Sequence, residues 1–468
     1  MTENRTENLS LKFTVDNFNS TTKLADNEYK IPVDSVEERN NEKVYNPYEH
    51  RNVQHPNSFS GALMHICKSS LGTGILAIPS AVAAGGIVVG VVGTVLTGIL
   101  CTHTIHLLIF ASQEICKKAK VPMLGFAETA HAVFKYGPNR VKSFAYIAKY
   151  FVDICLLLTY CSGNAVYVVF ITGNIQDVVN YYQNSVSDWP LQYYMLMLLV
   201  PLIVCCQVRQ LKHLVPFSII ANVTMVTAFL ITLYYMFSGI GDIDIEDRKF
   251  FNDITLFPRF FSTVIFAMEG IGTMLPIENT MIKQQFIGCP GVLNIAMSFV
   301  VTLYTVIGLF GYLRFGDGVD PNVIKNLPTE DIAAQVAKLC VATAVFFTFM
   351  LQFYVPCEIT WRIVSPIIPK NYHNIAQIIM RTLLVLFITA IGAAVPKLDA
   401  IIGLVGSICL STLGLFIPVA IDTILNLGEN GDFGVMKWRL WKNILIAILS
   451  WFALFSGSYY AVKDLING

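Results

Sequence analysis

Apolar runs long enough to cross a bilayer recur along almost the whole chain, separated by short polar connections. A helix needs about 20 predominantly apolar residues to span the hydrocarbon core, and in lipid every backbone amide and carbonyl must find its partner inside the protein. Helices of that length meet the demand segment by segment. Charged residues make up 14% of the 468, against about a quarter in soluble domains, so the sequence predicts an all-α membrane protein. Eleven transmembrane helices are expected, over residues 61–84, 87–110, 143–172, 191–207, 213–237, 258–279, 292–313, 332–357, 375–395, 398–421 and 443–462.

Residues 1–57 are polar, acidic and rich in Asn, without the apolar core of a signal peptide, and are expected to form a disordered cytosolic tail. Between spans two and three the chain turns basic, with Lys117, Lys118, Lys120, Lys135, Arg140 and Lys142 around Leu124, Phe126, Ala130 and Phe134. A short helix lying on the membrane surface is expected there. With the N-terminus in the cytosol, the inward connections collect about fifteen Lys and Arg and the outward ones seven. That bias places the N-terminus inside and the C-terminus outside or in a lumen. Formal net charge is zero and no basic stripe is interleaved with aromatics, so nothing suggests a nucleic-acid partner. The 11 cysteines form no C-x-x-C pair and no Cys/His metal spacing, and most sit in apolar runs as small core residues. No metal or cofactor is expected.

Span one carries Ser69-Ser70-Leu71-Gly72-Thr73-Gly74 at its middle, hydroxyls and glycines where a helix is least willing to continue. A broken helix survives in lipid only where it is buried in protein or lines a watered cavity, so this stretch predicts a binding site at mid-membrane depth. Span six echoes it with Glu269-Gly270-Ile271-Gly272-Thr273-Met274-Leu275-Pro276. Both read Gly-x-Gly followed by a proline. The two weakened helices are separated by four ordinary ones, so the second half is inverted relative to the first. A five-plus-five inverted repeat with broken helices 1 and 6 follows, with repeat one at about 58–237, repeat two at about 258–422 and an extra helix at about 443–462. Amides of Thr73, Gly74 and Ile75 at the start of the second half-helix suit a carboxylate. Carbonyls of Phe266, Ala267 and Met268 suit an ammonium, and glycines leave room for backbone approach. Ser69, Ser70, Gly72, Thr73, Gly74, Phe266, Ala267, Met268 and Gly270 are therefore the candidate substrate residues, for a small zwitterion.

Several stretches resemble the proton-coupled amino acid transporter branch of the amino acid/auxin permease family. They are Leu63-Met64-His65-Ile66-Cys67-Lys68 running into Gly72-Thr73-Gly74-Ile75-Leu76, Pro216-Phe217-Ser218 with Asn222, Phe266-Ala267-Met268-Glu269-Gly270-Ile271-Gly272 leading to Leu275-Pro276-Ile277-Glu278-Asn279, and Gly311-Tyr312-Leu313-Arg314-Phe315-Gly316. Tyr45-Asn46-Pro47-Tyr48-Glu49-His50-Arg51 is similar to the segment before span one in that branch. The resemblance runs from about residue 45 to the C-terminus. It implies the inverted-repeat fold of amino acid/polyamine/organocation transporters and symport of protons with small neutral amino acids of the alanine, glycine and proline class. It departs at the outward loops, which offer neither the sequons nor the cysteine pair of mammalian members. The tail carries sequons at Asn4, Asn8 and Asn19, and none lies in the outward loops.

His65 is the one histidine deep in a span, and the resemblance places the proton-binding histidine there; otherwise it is a neutral histidine satisfied by a neighbour. Lys68, three residues on, opposes its protonation unless an acid offsets it. Glu269 within the break is the candidate for proton coupling with His65. Asp153 reads as an intrahelical partner of Lys149, and Glu278 as a cap or a partner of a loop cation such as Lys283. Tyr160 and Tyr167 either shape the pocket or pack between helices. Thr348 and Gln352 offer oxygens for sodium but lack a cluster of small hydroxyl residues around them, so proton coupling is preferred. An amino acid sensor signalling through the cytosolic tail and a sodium-coupled carrier are the alternatives. No nucleophile with a base, paired carboxylates or filter-like repeat points to an enzyme or a channel. The plasma membrane and endolysosomal membranes fit equally.

Overall fold

The computed structural model describes residues 45–53, 56–70, 72–183, 189–209, 215–238, 247–268, 270–428 and 433–466. The sequons at Asn4, Asn8 and Asn19 lie outside them, as do Leu71 of the first break and Glu269 of the second. Every regular element among the described residues is helical. In chain order these are α1 (Phe59–Ser70), α2 (Gly74–Ala119), α3 (Phe126–Tyr136), α4 (Ala145–Tyr182), α5 (Leu191–Cys205), α6 (Val215–Phe237), α7 (Phe257–Ala267), α8 (Ile271–Asn279), α9 (Val292–Phe315), α10 (Ile332–Val364) and α11 (His373–Ala394). Two composite helices follow, Leu398–Gly428, which widens to a π-helix over Val405–Phe416, and Trp438–Ile466, which does so over Ala453–Gly457.

Nine helices among the described residues are long and apolar enough to cross a membrane. The difference from the expected eleven has two local causes. Gly74–Ala119 is one 46-residue element that covers the end of the first expected span and all of the second, and Leu191–Cys205 is apolar but only 15 residues long. The 46-residue element is not straight. Gly86 has φ +78°, a conformation open to glycine and costly for other residues, and a Cβ at Gly90 would fall 3.0 Å from the Cα of Val82. Eight residues of straight helix would separate those positions by about 12 Å. The chain therefore doubles back at Gly86, in the gap between the first two expected spans, 61–84 and 87–110. The amides of Ile87 and Val88 donate to the carbonyls of Lys249 and Phe250, both at 3.0 Å, which pins the segment before α7 onto this turn.

Helix α9 lies against the first arm of α2 because its glycines remove the side chains between them. A Cβ at Gly308 would fall 2.5 Å from Ile78, and one at Gly311 2.6 Å from Pro79. The outside of the bundle is apolar. On α6, Val223, Val226, Leu230 and Tyr234 fall on one helical stripe and are 57–68% exposed. A stripe of that size facing water is rare in a soluble monomer, and in a bilayer it is the lipid face. The protein is a multi-pass membrane protein.

Helix α3 forms where a surface helix is expected, with a different orientation. Phe126, Ala130 and Val133 are buried, and the helix packs on α4 and on the end of Leu398–Gly428. Its apolar face is turned into the protein instead of onto lipid, because those neighbours offer a complementary apolar surface.

Candidate functional site

Both predicted breaks are present. Helix α1 ends at Ser70 and α2 starts at Gly74, while α7 ends at Ala267 and α8 starts at Ile271. The two interruptions touch. A Cβ at Gly74 would fall 2.6 Å from the Cα of Ala267, and one at Gly270 would fall 3.4 Å from Oγ of Ser70. A helix start exposes its first amides and a helix end its last carbonyls, so this junction gathers two N-terminal and two C-terminal ends around one point.

A cavity of about 40 Å³ opens at the junction. From the breaks it is lined by Ser69, Ser70, Gly72, Thr73, Gly74, Phe266, Ala267, Gly270, Ile271, Gly272 and Thr273, from α4 by Thr159, Tyr160 and Tyr167, from α10 by Gln352, and from the π-helix by Leu410 and Leu413. No charged side chain is among these described lining residues. Eight of the nine candidate substrate residues are thus brought together. Met268 is the exception. Its side chain is buried in the core and its amide donates to the Val264 carbonyl at 2.9 Å, because the turn that ends α7 carries it away from the cavity.

Ser70 is 3% exposed and its hydroxyl has no hydrogen-bond partner among the described residues, although it borders the cavity. An orphaned buried hydroxyl is costly, and a polar ligand in the cavity would satisfy it. Tyr160 and Tyr167, seven residues apart, share a helix face, and that spacing is the sequence signal that both reach the cavity. Thr159, Leu410 and Leu413 carried no comparable signal. Thr348 does not line the cavity, and its hydroxyl donates to its own helix at Ala344.

His65 is half-buried on α1 and outside the cavity lining, five residues or about 7.5 Å of helix before Ser70. Lys68 donates from Nζ to Oγ of Ser218 on α6, at 3.1 Å. Glu269, the expected acid partner, lies outside the described residues.

The remaining buried acids pair differently from expectation. Asp153 accepts from Nη2 of Arg362 on α10 at 2.6 Å, and Glu128 of α3 accepts from the same guanidinium at 3.3 Å. That arrangement replaces the intrahelical pair with Lys149, since Asp153 points into the α4–α10 seam. Glu278, 1% exposed, pairs with Arg51 and not with Lys283. Arg51 Nη2 reaches both carboxylate oxygens at 3.0 Å, and Nη1 donates to the carbonyls of Glu278 and Met281 at 2.9 and 2.8 Å. Tyr48 donates to Oε1 of Glu278 at 2.7 Å and Gln113 of α2 at 3.1 Å. Burial, and then the Glu278 charge, hold the Tyr48 hydroxyl far above its usual titration range, so it remains a donor. Residues 45–53, read in the sequence as the end of the tail, are docked on the end of α8 by these bonds.

A family model described as transmembrane amino acid transporter protein matches residues 55–463. The chain belongs to this family. It is a membrane transporter and not an enzyme. The Drosophila melanogaster protein named proton-coupled amino acid transporter-like protein pathetic is 36% identical over 424 residues, covering 90% of this chain and 88% of that relative. The Arabidopsis thaliana amino acid transporter ANT1 is 25% identical over 376 residues, covering 76% of this chain and 82% of the relative. Among solved structures, the Eremococcus coleocola manganese transporter aligns over 89% of this chain and 98% of its own, at 10% identity and a TM-score of 0.46.

Proposed function

We propose that this family member is a secondary active symporter that moves small neutral amino acids, of the alanine, glycine and proline class, together with protons towards the cytosol. The observation that carries this is the small cavity where the two helix breaks meet, with no charge among its described lining side chains. Helix-start amides attract a carboxylate and helix-end carbonyls an ammonium. A zwitterion offers both of those groups, and a small cavity favours small side chains. The name of the Drosophila relative adds support for proton coupling. His65 and Glu269 are the proposed coupling groups, and Ser69, Ser70, Gly72, Thr73, Gly74, Phe266, Ala267 and Gly270 the proposed substrate contacts.

The fold that goes with this proposal is eleven crossings in a five-plus-five inverted repeat, with repeat one at about 58–237, repeat two at about 258–422 and one extra helix. The reversal at Gly86 and the paired breaks support it. The N-terminal tail is cytosolic, and the membrane is the plasma membrane or an endolysosomal one.

Uptake of a panel of amino acids into vesicles, with an imposed pH gradient and with or without sodium, tests the proposal. Glycine, alanine and proline should accumulate from the acid side without sodium, and His65→Ala should abolish the pH-driven part while the protein remains folded. Ligand binding without flux would identify a sensor, and accumulation that requires sodium would replace the proton.

A further inference from the structure

One tyrosine outside the cavity lining reaches both helix breaks. Tyr304 of α9 is fully buried, and its hydroxyl bonds the carbonyl of Ser70, at the end of α1, and the carbonyl of Ala267, at the end of α7 and 3.0 Å away. The close glycine packing of α9 on the first arm of α2, at Gly308 and Gly311, brings the phenol to this depth. Both acceptors are helix-end carbonyls, which lack intrahelical donors and carry the negative end of a helix dipole. A phenol has a single proton to donate. Among the described residues, two carbonyl oxygens that repel one another therefore converge on the same donor, in a buried setting where an unmade bond costs its full desolvation.

We propose that Tyr304 is a positioning residue whose hydroxyl clasps the ends of α1 and α7 and thereby sets the width of the cavity between the two breaks. The inference rests on the reading of that cavity as the transport site. Substrate contacts made by both breaks depend on their separation, so loss of the clasp weakens binding. Opening of the site must release the clasp, so its loss does not slow turnover.

The test is uptake kinetics of Tyr304→Phe, which removes the hydroxyl and keeps the ring. Tyr312→Phe is the control. Tyr312 is equally buried on the same helix, but its hydroxyl donates to Asp317 at 2.7 Å and accepts from the Lys249 amide at 3.1 Å, away from the breaks. Tyr304→Phe should raise KM for the transported amino acid about tenfold, within the range set by one buried hydrogen bond, with kcat lowered less than twofold. Tyr312→Phe should leave KM within twofold while losing comparable thermal stability. KM unchanged in Tyr304→Phe, or raised alike in both variants, overturns the clasp. If Tyr304→Phe does not fold, 2,3-difluorotyrosine at 304 keeps the shape and strengthens the donor; kcat should then fall, and an unchanged kcat overturns the clasp. Absence of uptake by the wild type overturns the transport reading and the clasp with it. Wild-type uptake with an unchanged KM in Tyr304→Phe overturns the clasp alone.

Discussion

Gly72 and Gly74 stand two residues apart in the same motif and do different work. Among the described residues, a Cβ at 72 meets nothing within 4 Å, whereas one at 74 falls 2.6 Å from the backbone of Ala267. Gly72 borders open cavity, and Gly74 is where the two breaks press together. The sequence alone suggests that a side chain at 74 would block a ligand's approach to the amides. In the structure it first forces two backbones apart, and overpacking of that kind costs about 1–3 kcal/mol or more. Gly72→Ala should therefore keep its melting temperature and raise KM several-fold by filling the cavity. Gly74→Ala should lose thermal stability in detergent before any kinetic defect can be read. Equal melting temperatures for the two variants would show that the breaks do not meet in the way described.

At the scale of elements, the contact between the segment 45–53 and α8 joins the chain's first described residues to the second half of the broken helix. Arg51 and Glu278 are 7% and 1% exposed, and a buried pair adds little net stability but is costly to break from one side. Among the described residues, Arg51→Ala leaves the Glu278 carboxylate with Tyr48 and Gln113 as its side-chain donors. It should destabilise the protein by about 3–5 kcal/mol. Adding Glu278→Gln to Arg51→Ala should recover a large part of that loss, because no uncompensated charge is left buried. Thermal melts of the two single variants and the double variant form the cycle that measures this coupling. Additive losses would mean that the two side chains do not act as a pair.

For the whole molecule, the distribution of cations supplies an orientation that can be measured. Cys289, the one exposed cysteine of the 11, follows α8 on the face that carries residues 45–53. With that face in the cytosol, an impermeant maleimide should label Cys289 only after the plasma membrane is permeabilised. Labelling in intact cells would invert the topology. The breaks and the turn at Gly86 were legible in the sequence because helix persistence is a local property. It is decided by apolar length, glycine and hydrogen bonds spanning four residues. The partners of the buried charges were not legible. Glu278 finds Arg51 227 positions away, and Asp153 finds Arg362 209 positions away, so proximity along the chain pointed to Lys283 and Lys149 instead. The same holds at the site. The sequence by itself determined where two helices must stop and that the stops would need polar partners. Only the tertiary structure decided that the stops face each other, that Gly74 rather than Gly72 carries the contact, and that Tyr304 bridges them, because helix packing brings together residues whose spacing in the chain holds no trace of their contact.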